Sequence, residues 1–530
     1  MAIGSVRAPL RCGPVICAIA RDRQPAPLYA VPPRVLDRRQ LLTGAGALLA
    51  AAGLGCRPAR PTPPRTSRIV VVGAGLSGLA VAHDLVKRGL DVLVLEATAV
   101  PGGRIRTIRS FRDGLYAEAG AMHVLDDPDL IALIEDVEVD QFNPVRPKLS
   151  RITFRRGERR VTAPGEPVPE DTDGLSAEEL ALGADGRNRK YLGLVDRIDP
   201  KAMQWSGELA AIDRLSAADW LRGMGASPRY IAGEFFPLGD GIESISALSF
   251  LREHASIRAE IRGLGGVRRR GKGGGRIAGG SDSLPRAIAR RLGERVRYGA
   301  VVQRIERRPD GATLVVRDRT GQHRIEAARV VLTMPLKVLR RIEVAPAWSP
   351  AKARAIAELD MTSVTRVWLE ADRRFWVERG EAGRVQTDTD LRVVQDVTAG
   401  GTGPGGVLEL YLSGPTARAW GALDPQAALR RGVDEVERLH PGLREHFVGG
   451  DRVVWDREPF IGGAYAFFAP GQLTQHAAAA AAPEGVIHFA GDGTSHRPGF
   501  MHGAVASARR VLAELAGAGI AGAIAAPPRG

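Results

Sequence analysis

Cysteine is nearly missing from this chain. Cys12, Cys17 and Cys56 all fall within the first 56 of 530 residues, so nothing after them can form a disulfide, a thiolate metal site or a cysteinyl link to a cofactor. Long apolar runs are scarce too. The most apolar stretch, 41–55, is too short for a hydrocarbon layer of about 30 Å, which needs about 20 residues, and reads as a signal core instead of an anchor. A strong charge excess is also absent from the body of the protein. Ten Arg and two Asp in residues 1–67 carry +8 of the formal +14, leaving +6 for residues 68–530, too mild a balance over that length to argue for nucleic acid. The one local basic run, Arg268, Arg269, Arg270 and Lys272 beside three glycines, reads as a solvated loop. No internal repeat is present, so about 450 residues have to be divided among two or more interleaved domains.

The N-terminal region has its own logic. Asp37-Arg38-Arg39-Gln40-Leu41-Leu42 ahead of the apolar core resembles a twin-arginine export signal, which predicts a periplasmic or cell-envelope location. Export in the folded state suits a protein that takes up a cofactor in the cytoplasm. Cys56 resembles a lipid-attachment cysteine, although Gly53 stands where an aliphatic residue is usual. Residues 1–36 are long for the segment before such a signal, and residues 58–67 form a proline-rich linker.

What the chain does have begins at Arg68. Four β-branched apolar residues, Ile69 to Val72, run into Gly73, Gly75 and Gly78 in the spacing G-x-G-x-x-G, which predicts a strand, a tight turn and a helix start. Gly73 permits the turn, Gly75 lets a pyrophosphate approach the backbone, and Gly78 lets the helix lie close to the strand. The unpaired N–H groups of the helix N-terminus suit phosphate. Leu79, Ala82, Leu85 and Val86 give that helix an apolar face, Gly89 ends it, and a second strand ends on Glu96, placed to accept both hydroxyls of an adenosine ribose. Pro101-Gly102-Gly103-Arg104 then supplies a second glycine turn with a cation that can close on the pyrophosphate.

Further on, residues 116–123 form a small-residue stretch that lets backbone approach a flat ring. Helical periodicity follows over 127–134, 176–182, 187–198, 216–223 and 228–234. The nucleotide-binding pattern returns near 279, where Ser281 is expected to cap a helix through Leu292, with strands at 296–305, 313–318 and 329–333. Residues 335–455 follow another plan, with strands at 365–369, 391–395 and 407–412 and a helix over 427–439. The buried strand 486–492 ends on Asp492 and leads into a helix from Met501 to Leu515, whose positive end suits the negative charge of a reduced flavin.

These residues resemble the FAD-dependent amine oxidases that include monoamine oxidases and L-amino-acid oxidases. The likeness spans residues 68 to about 516 and rests on Gly73 to Leu79 with Glu96, on Pro101 to Arg104, on Phe489 to Ser495, and on Pro498 to Gly503. It implies an α/β fold in which a Rossmann-type FAD-binding domain (68–123, 279–334 and 456–516) is interleaved with a helical insert (124–278) and an α+β substrate domain (335–455). Residues 1–67 form a signal region and 517–530 a tail. It also implies FAD contacts at Gly73, Gly75, Leu76, Ser77, Gly78, Glu96, Ala97, Gly103, Arg104, Gly120, Ala121, Met122, His123, Val302, Gly491, Asp492, Gly499, Met501 and Ala504. Ala464 stands where some monoamine oxidases attach flavin through cysteine, so FAD is expected to be non-covalent.

The resemblance predicts hydride transfer from the α-carbon of an amine or L-amino acid to FAD, imine hydrolysis, and reoxidation by O2 with release of hydrogen peroxide. Tyr465 and Phe500 match the two aromatic walls that flank the amine. Arg366 stands where many members carry a lysine that assists reoxidation, and arginine supplies charge but hardly a proton relay. His123 matches an arginine of L-amino-acid oxidases, and a neutral imidazole favours simple amines over carboxylate-bearing substrates. An arginine from the helical insert, such as Arg187 or Arg252, is the alternative carboxylate clamp. Other readings are a desaturase or dehydrogenase of the same fold with a different acceptor, and a flavin-binding accessory protein without turnover. A homodimer is left open.

Overall fold

The protein is described by a computed structural model covering residues 67–143, 148–234, 238–263 and 275–518. The export signal, Cys56, the basic run at 268–272 and most of the tail lie outside these described residues.

Five parallel strands form the organising sheet: β1 (Ile69–Val72), β2 (Val92–Glu96), β3 (Val296–Tyr298), β4 (Arg329–Leu332) and β5 (Ile487–Phe489), in the order β3-β2-β1-β4-β5. This is the strand order of a doubly wound fold, and it reverses between β1 and β4, where such sheets bind nucleotides. β1 is buried on both faces, as its unbroken run of branched residues requires. Helix α1 (Leu76–Lys87) lies on one face against α2 (Ser283–Leu292) and α3 (Met501–Gly517), with Leu79, Leu85, Ile288, Val505 and Leu512 in one core. On the other face, Val70, Leu93 and Val330 pack against a four-stranded sheet that contains Val301–Arg308 and Gly311–Asp318.

Ser281 does not cap α2. The helix begins at Ser283 after Asp282, no side chain caps it, and the Ser281 backbone N–H instead donates to the Glu118 carboxylate at 2.8 Å. Asp282, which the capping rules favour equally, is taken by Arg109 and Arg286.

The second body is a seven-stranded sheet in the order Phe447–Val454, Val364–Ala371, Gly406–Ser413, Val393–Asp396, Glu381–Thr387, Ser150–Arg155, Glu158–Thr162. The last two strands come from the insert in which the sequence reading picks out only helical segments. Ile152 and Phe154 alternate inward against Val385 and Val394, and this short period-two pattern is easily lost between longer helical segments. The helices around them form a separate core on Tyr191, Leu221, Phe250 and Phe468. Segments 176–182 and 187–198 appear as Ala177–Leu192, interrupted at Gly183 with φ of 62°, followed by a 3-10 turn, Gly193–Arg197. The long helix Ala247–Gly263 and the short Gly207–Ile212 are additions to the sequence reading.

Candidate active site

A cavity of about 680 Å³ opens at the carboxyl ends of β1, β2 and β4 and continues to the seven-stranded sheet. One end is made of backbone. Gly73 has φ of 110°, and a Cβ there would meet the Thr333 hydroxyl, which donates to the carbonyls of Val72 and Gly73 at 2.9 and 3.1 Å. A Cβ on Gly75 would meet nothing within 4 Å, because that side faces the cavity. The first-turn N–H groups of α1, beginning at Leu76 and Ser77, have no side-chain cap and border the same space, an arrangement suited to phosphate. Glu96 is buried at the end of β2, where it accepts from the Ala74 N–H at 2.7 Å and the Thr98 N–H at 2.9 Å. These bonds fix the carboxylate while leaving lone pairs for a diol. Ala97 and Val302 line the wall beside it.

Across the cavity, Arg104 forms a two-pronged pair with the Asp492 carboxylate and donates to the Ala464 carbonyl at 2.8 Å. Asp492 also accepts from the Gly499 N–H at 2.9 Å. One buried carboxylate thus ties the second glycine turn to the C-terminal motif, and leaving either charge alone would be costly. Gly103, Gly120, Ala121, Met122, Gly499, Met501 and Ala504 complete this part of the lining, and the N-terminus of α3 carries no acidic residue in its first turn. Gly120 has no room for a side chain: a Cβ would stand 1.6 Å from the Arg104 carbonyl oxygen. Gly78 and Gly491 are outside the lining. A Cβ on Gly78 would come within 2.1 Å of the Gly73 carbonyl, so its role is helix-to-turn packing, and the Gly491 N–H is bound to the Ser507 hydroxyl at 2.9 Å.

The other end is made of side chains. Tyr465, Phe500, Arg366 and His123 all line the cavity, joined by Tyr411, Gln395 and Glu253. The Tyr465 ring lies against Gly499, whose added Cβ would sit 3.2 Å from it, and its hydroxyl bonds to that of Tyr411. Burial pushes both phenols above their ordinary values, so both stay protonated. The Arg497 guanidinium stacks 4.1 Å from the centre of the Phe500 ring and is held by Glu253 and Glu260. Arg366 donates to the Glu118 carbonyl at 2.6 Å, pairs with Glu409 at 3.1 Å and lies 4.9 Å over the Tyr411 ring.

The two candidate hidden arginines are elsewhere. Arg187 is spent on the Glu179 carbonyl and Glu170, and Arg252 is buried over the Phe468 ring; neither lines the cavity. The lining arginines are Arg104, Arg366 and Arg341, the last exposed and donating to the Pro459 carbonyl. Sequence reasoning missed Tyr411, Gln395 and Glu409. The signal for Tyr411 and Glu409 was the alternating strand Gly406–Ser413, where Tyr411 comes opposite Arg366 only through antiparallel register, and Gln395 lies opposite Glu409 in the neighbouring strand Val393–Asp396.

Comparison with known proteins agrees with this geometry. The family described as flavin containing amine oxidoreductase matches residues 76–515. The L-amino-acid oxidase of Daboia russelii is 27% identical over 463 residues, covering 83% of this chain and 87% of its own. That of Protobothrops flavoviridis is 26% identical, covering 83% and 86%. Among solved structures, putrescine oxidase bound to putrescine superposes with a TM-score of 0.72 at 26% identity, covering 85% of this chain and 99% of its own. Cyclohexylamine oxidase from Brevibacterium oxydans shares the fold at 23% identity, with a TM-score of 0.73 and coverage of 85% and 99%.

Proposed function

Since the chain belongs to the flavin containing amine oxidoreductases and is a FAD-dependent enzyme, we propose that it oxidises small primary amines, in preference to amino acids, at the end of the cavity bounded by Tyr465, Tyr411 and Phe500. When bound, FAD supplies the hydride acceptor and passes the electrons on to oxygen with release of hydrogen peroxide. The residues present fit this group. Gly73, Gly75 and the α1 N-terminus would hold the pyrophosphate, Glu96 the ribose, and Gly120 to Met122 and the α3 N-terminus the ring. With no cysteine after position 56 the hold is non-covalent.

The chain's own contribution is orientation and exclusion. Tyr465 and Phe500 present aromatic surface to an amine, and the hydroxyl bond between Tyr465 and Tyr411 fixes that wall. Hydride leaves the α-carbon only if the nitrogen lone pair can form the C=N bond behind it, and an ammonium has no such pair, so the wall must select the neutral amine, which apolar surface does by withholding water. The observation that carries the preference for amines is the state of the lining cations: Arg104 is neutralised by Asp492 and Arg366 by Glu409, and the position of the expected clamp is His123. A carboxylate would forgo fixed-charge recognition on the scale of about 2 to 5 kcal/mol.

A second reading, an L-amino-acid oxidase, is favoured by the curated relatives and by Arg341, which lines the cavity without a carboxylate partner among the described interactions. The two part on one comparison, phenethylamine against phenylalanine by kcat/KM at pH 8. The amine reading expects the amine to be at least tenfold better. A tenfold preference for phenylalanine overturns it. Export through Arg38-Arg39, with FAD taken up beforehand, belongs to the same proposal and rests on the N-terminal sequence.

A further inference from the structure

One carboxylate beside the cavity has so far served only to neutralise Arg366. Glu409 lies in the middle of the strand Gly406–Ser413, with 0% of its side chain exposed. Its neighbours account for each oxygen. Oε2 accepts from the Gln395 amide at 2.7 Å, and Oε1 faces the Arg366 guanidinium at 3.1 Å in a contact too poorly aligned to count as a hydrogen bond. Arg366 in turn is only 13% exposed, its Nη1 is held by the Glu118 carbonyl at 2.6 Å, and its Nε has no hydrogen-bond partner among the described residues. Gln395 and Arg366 both line the cavity, whereas Glu409 does not.

A fully buried carboxylate is expensive unless it serves a cation, and apolar residues of similar size usually replace such a pair without loss of stability. This pair sits in a wall where charge matters. Reduction of a flavin by two electrons and one proton leaves one negative charge on the ring, and a nearby cation favours that state. In a low dielectric the effect of a cation is large, and so is the effect of an anion set against it.

Building on the functional reading above, we propose that Glu409 is a positioning residue that sets the reduction potential of the flavin, by holding Arg366 in place and cancelling its charge. Arg366 touches the cavity, and Glu409 acts through it. The pair then makes the electrostatic setting of the ring near neutral on this side, which keeps the potential below what a lone guanidinium would give.

The test is the midpoint potential of the bound FAD, measured by dye-coupled anaerobic reduction, which needs no amine. Glu409→Gln keeps the shape and the contact with Gln395 but frees the cation, and the potential is expected to rise by about 30 mV or more, a tenfold change in a two-electron equilibrium. Arg366→Gln frees the anion and is expected to lower it by a similar amount. The double variant, which buries neither charge alone, is expected near the wild-type value. If Glu409→Gln does not fold, Arg366→Gln and the double variant still decide the matter. A merely structural pair would lower stability without ordering the potentials in this way. FAD-loaded variants whose potentials do not move, or move together in one direction, overturn the role of Glu409 alone. A wild-type chain that retains no FAD overturns the functional reading and this one with it.

Discussion

The two ends of the cavity are built on opposite principles. At the nucleotide end the contacts are backbone N–H groups and glycine Cα surfaces from short continuous stretches, Gly73 to Ser77 and Gly102 to Arg104, closed by Glu96. At the amine end they are side chains from segments far apart in sequence: His123, Arg366, Gln395, Tyr411, Tyr465 and Phe500. A backbone site tolerates almost no change where a Cβ would intrude, because no rotamer can move it. A side-chain site tolerates change but loses selectivity. The first should fail in binding FAD and the second in turnover.

The sharpest break is expected at Gly120. Its Cβ in Gly120→Ala would overlap the Arg104 carbonyl, so the turn that holds Arg104 against Asp492 has to move. FAD per chain, read from the absorbance of the purified protein, is expected to fall below about a tenth of wild type, since overpacking of a rigid site costs roughly 1 to 3 kcal/mol and occasionally more. A variant that keeps its full complement of FAD would show that the nucleotide end is more yielding than the comparison allows.

Tyr465→Ala is expected to do the reverse. It removes one aromatic wall, its packing on Gly499 and the hydroxyl partner of Tyr411 but none of the backbone groups of the nucleotide end. FAD content should stay near one per chain while kcat/KM for an amine falls by about tenfold to a hundredfold, or roughly 1.4 to 2.7 kcal/mol. Loss of FAD in place of turnover would merge the two ends into one.

The mildest change in what is read, a few degrees of Tm, concerns the seam between them. Glu118 offers its carbonyl to Arg366 and its carboxylate to the Thr107 hydroxyl at 2.9 Å and the Ser281 N–H. Burial, aided by Asp282, pushes this carboxyl up to about 7. The folded chain therefore keeps a proton that the unfolded chain releases between about pH 4.5 and 7, and stability falls as pH rises through that window. The contribution is at most on the order of 3 kcal/mol. Wild type should lose a few degrees of Tm between pH 5 and pH 8, and Glu118→Gln should lose less; equal slopes would remove Glu118 from the account.

The same contrast explains what could be read from the sequence. The parallel sheet, α1 and α3, the two glycine turns and Asp492 announce themselves because each is local: four β-branched residues, a fixed glycine spacing, a carboxylate at a strand end. The amine end was legible only at Tyr465, Phe500, Arg366 and His123, which lie inside or beside recognisable motifs. Tyr411 and Glu409 depend on which strand pairs with Val364–Ala371, and alternation gives a strand its two faces without naming its neighbour. The hairpin Ser150–Thr162 was missed for a similar reason, since its partner Glu381–Thr387 lies more than 200 residues away and its own apolar positions are only Ile152, Phe154 and Val161. Ser281 misled because a capping residue one position away, Asp282, was drawn off by Arg109, 173 residues distant, and by Arg286 one turn into the helix.

The central claim, that the two ends together form a flavin enzyme acting on amines, is tested most directly by mixing the purified, oxygen-free protein with phenethylamine and following the visible absorbance of its flavin. The account predicts that the yellow colour bleaches in proportion to amine added and returns on admission of air. Flavin that dithionite reduces but that no amine or amino acid bleaches would contradict it.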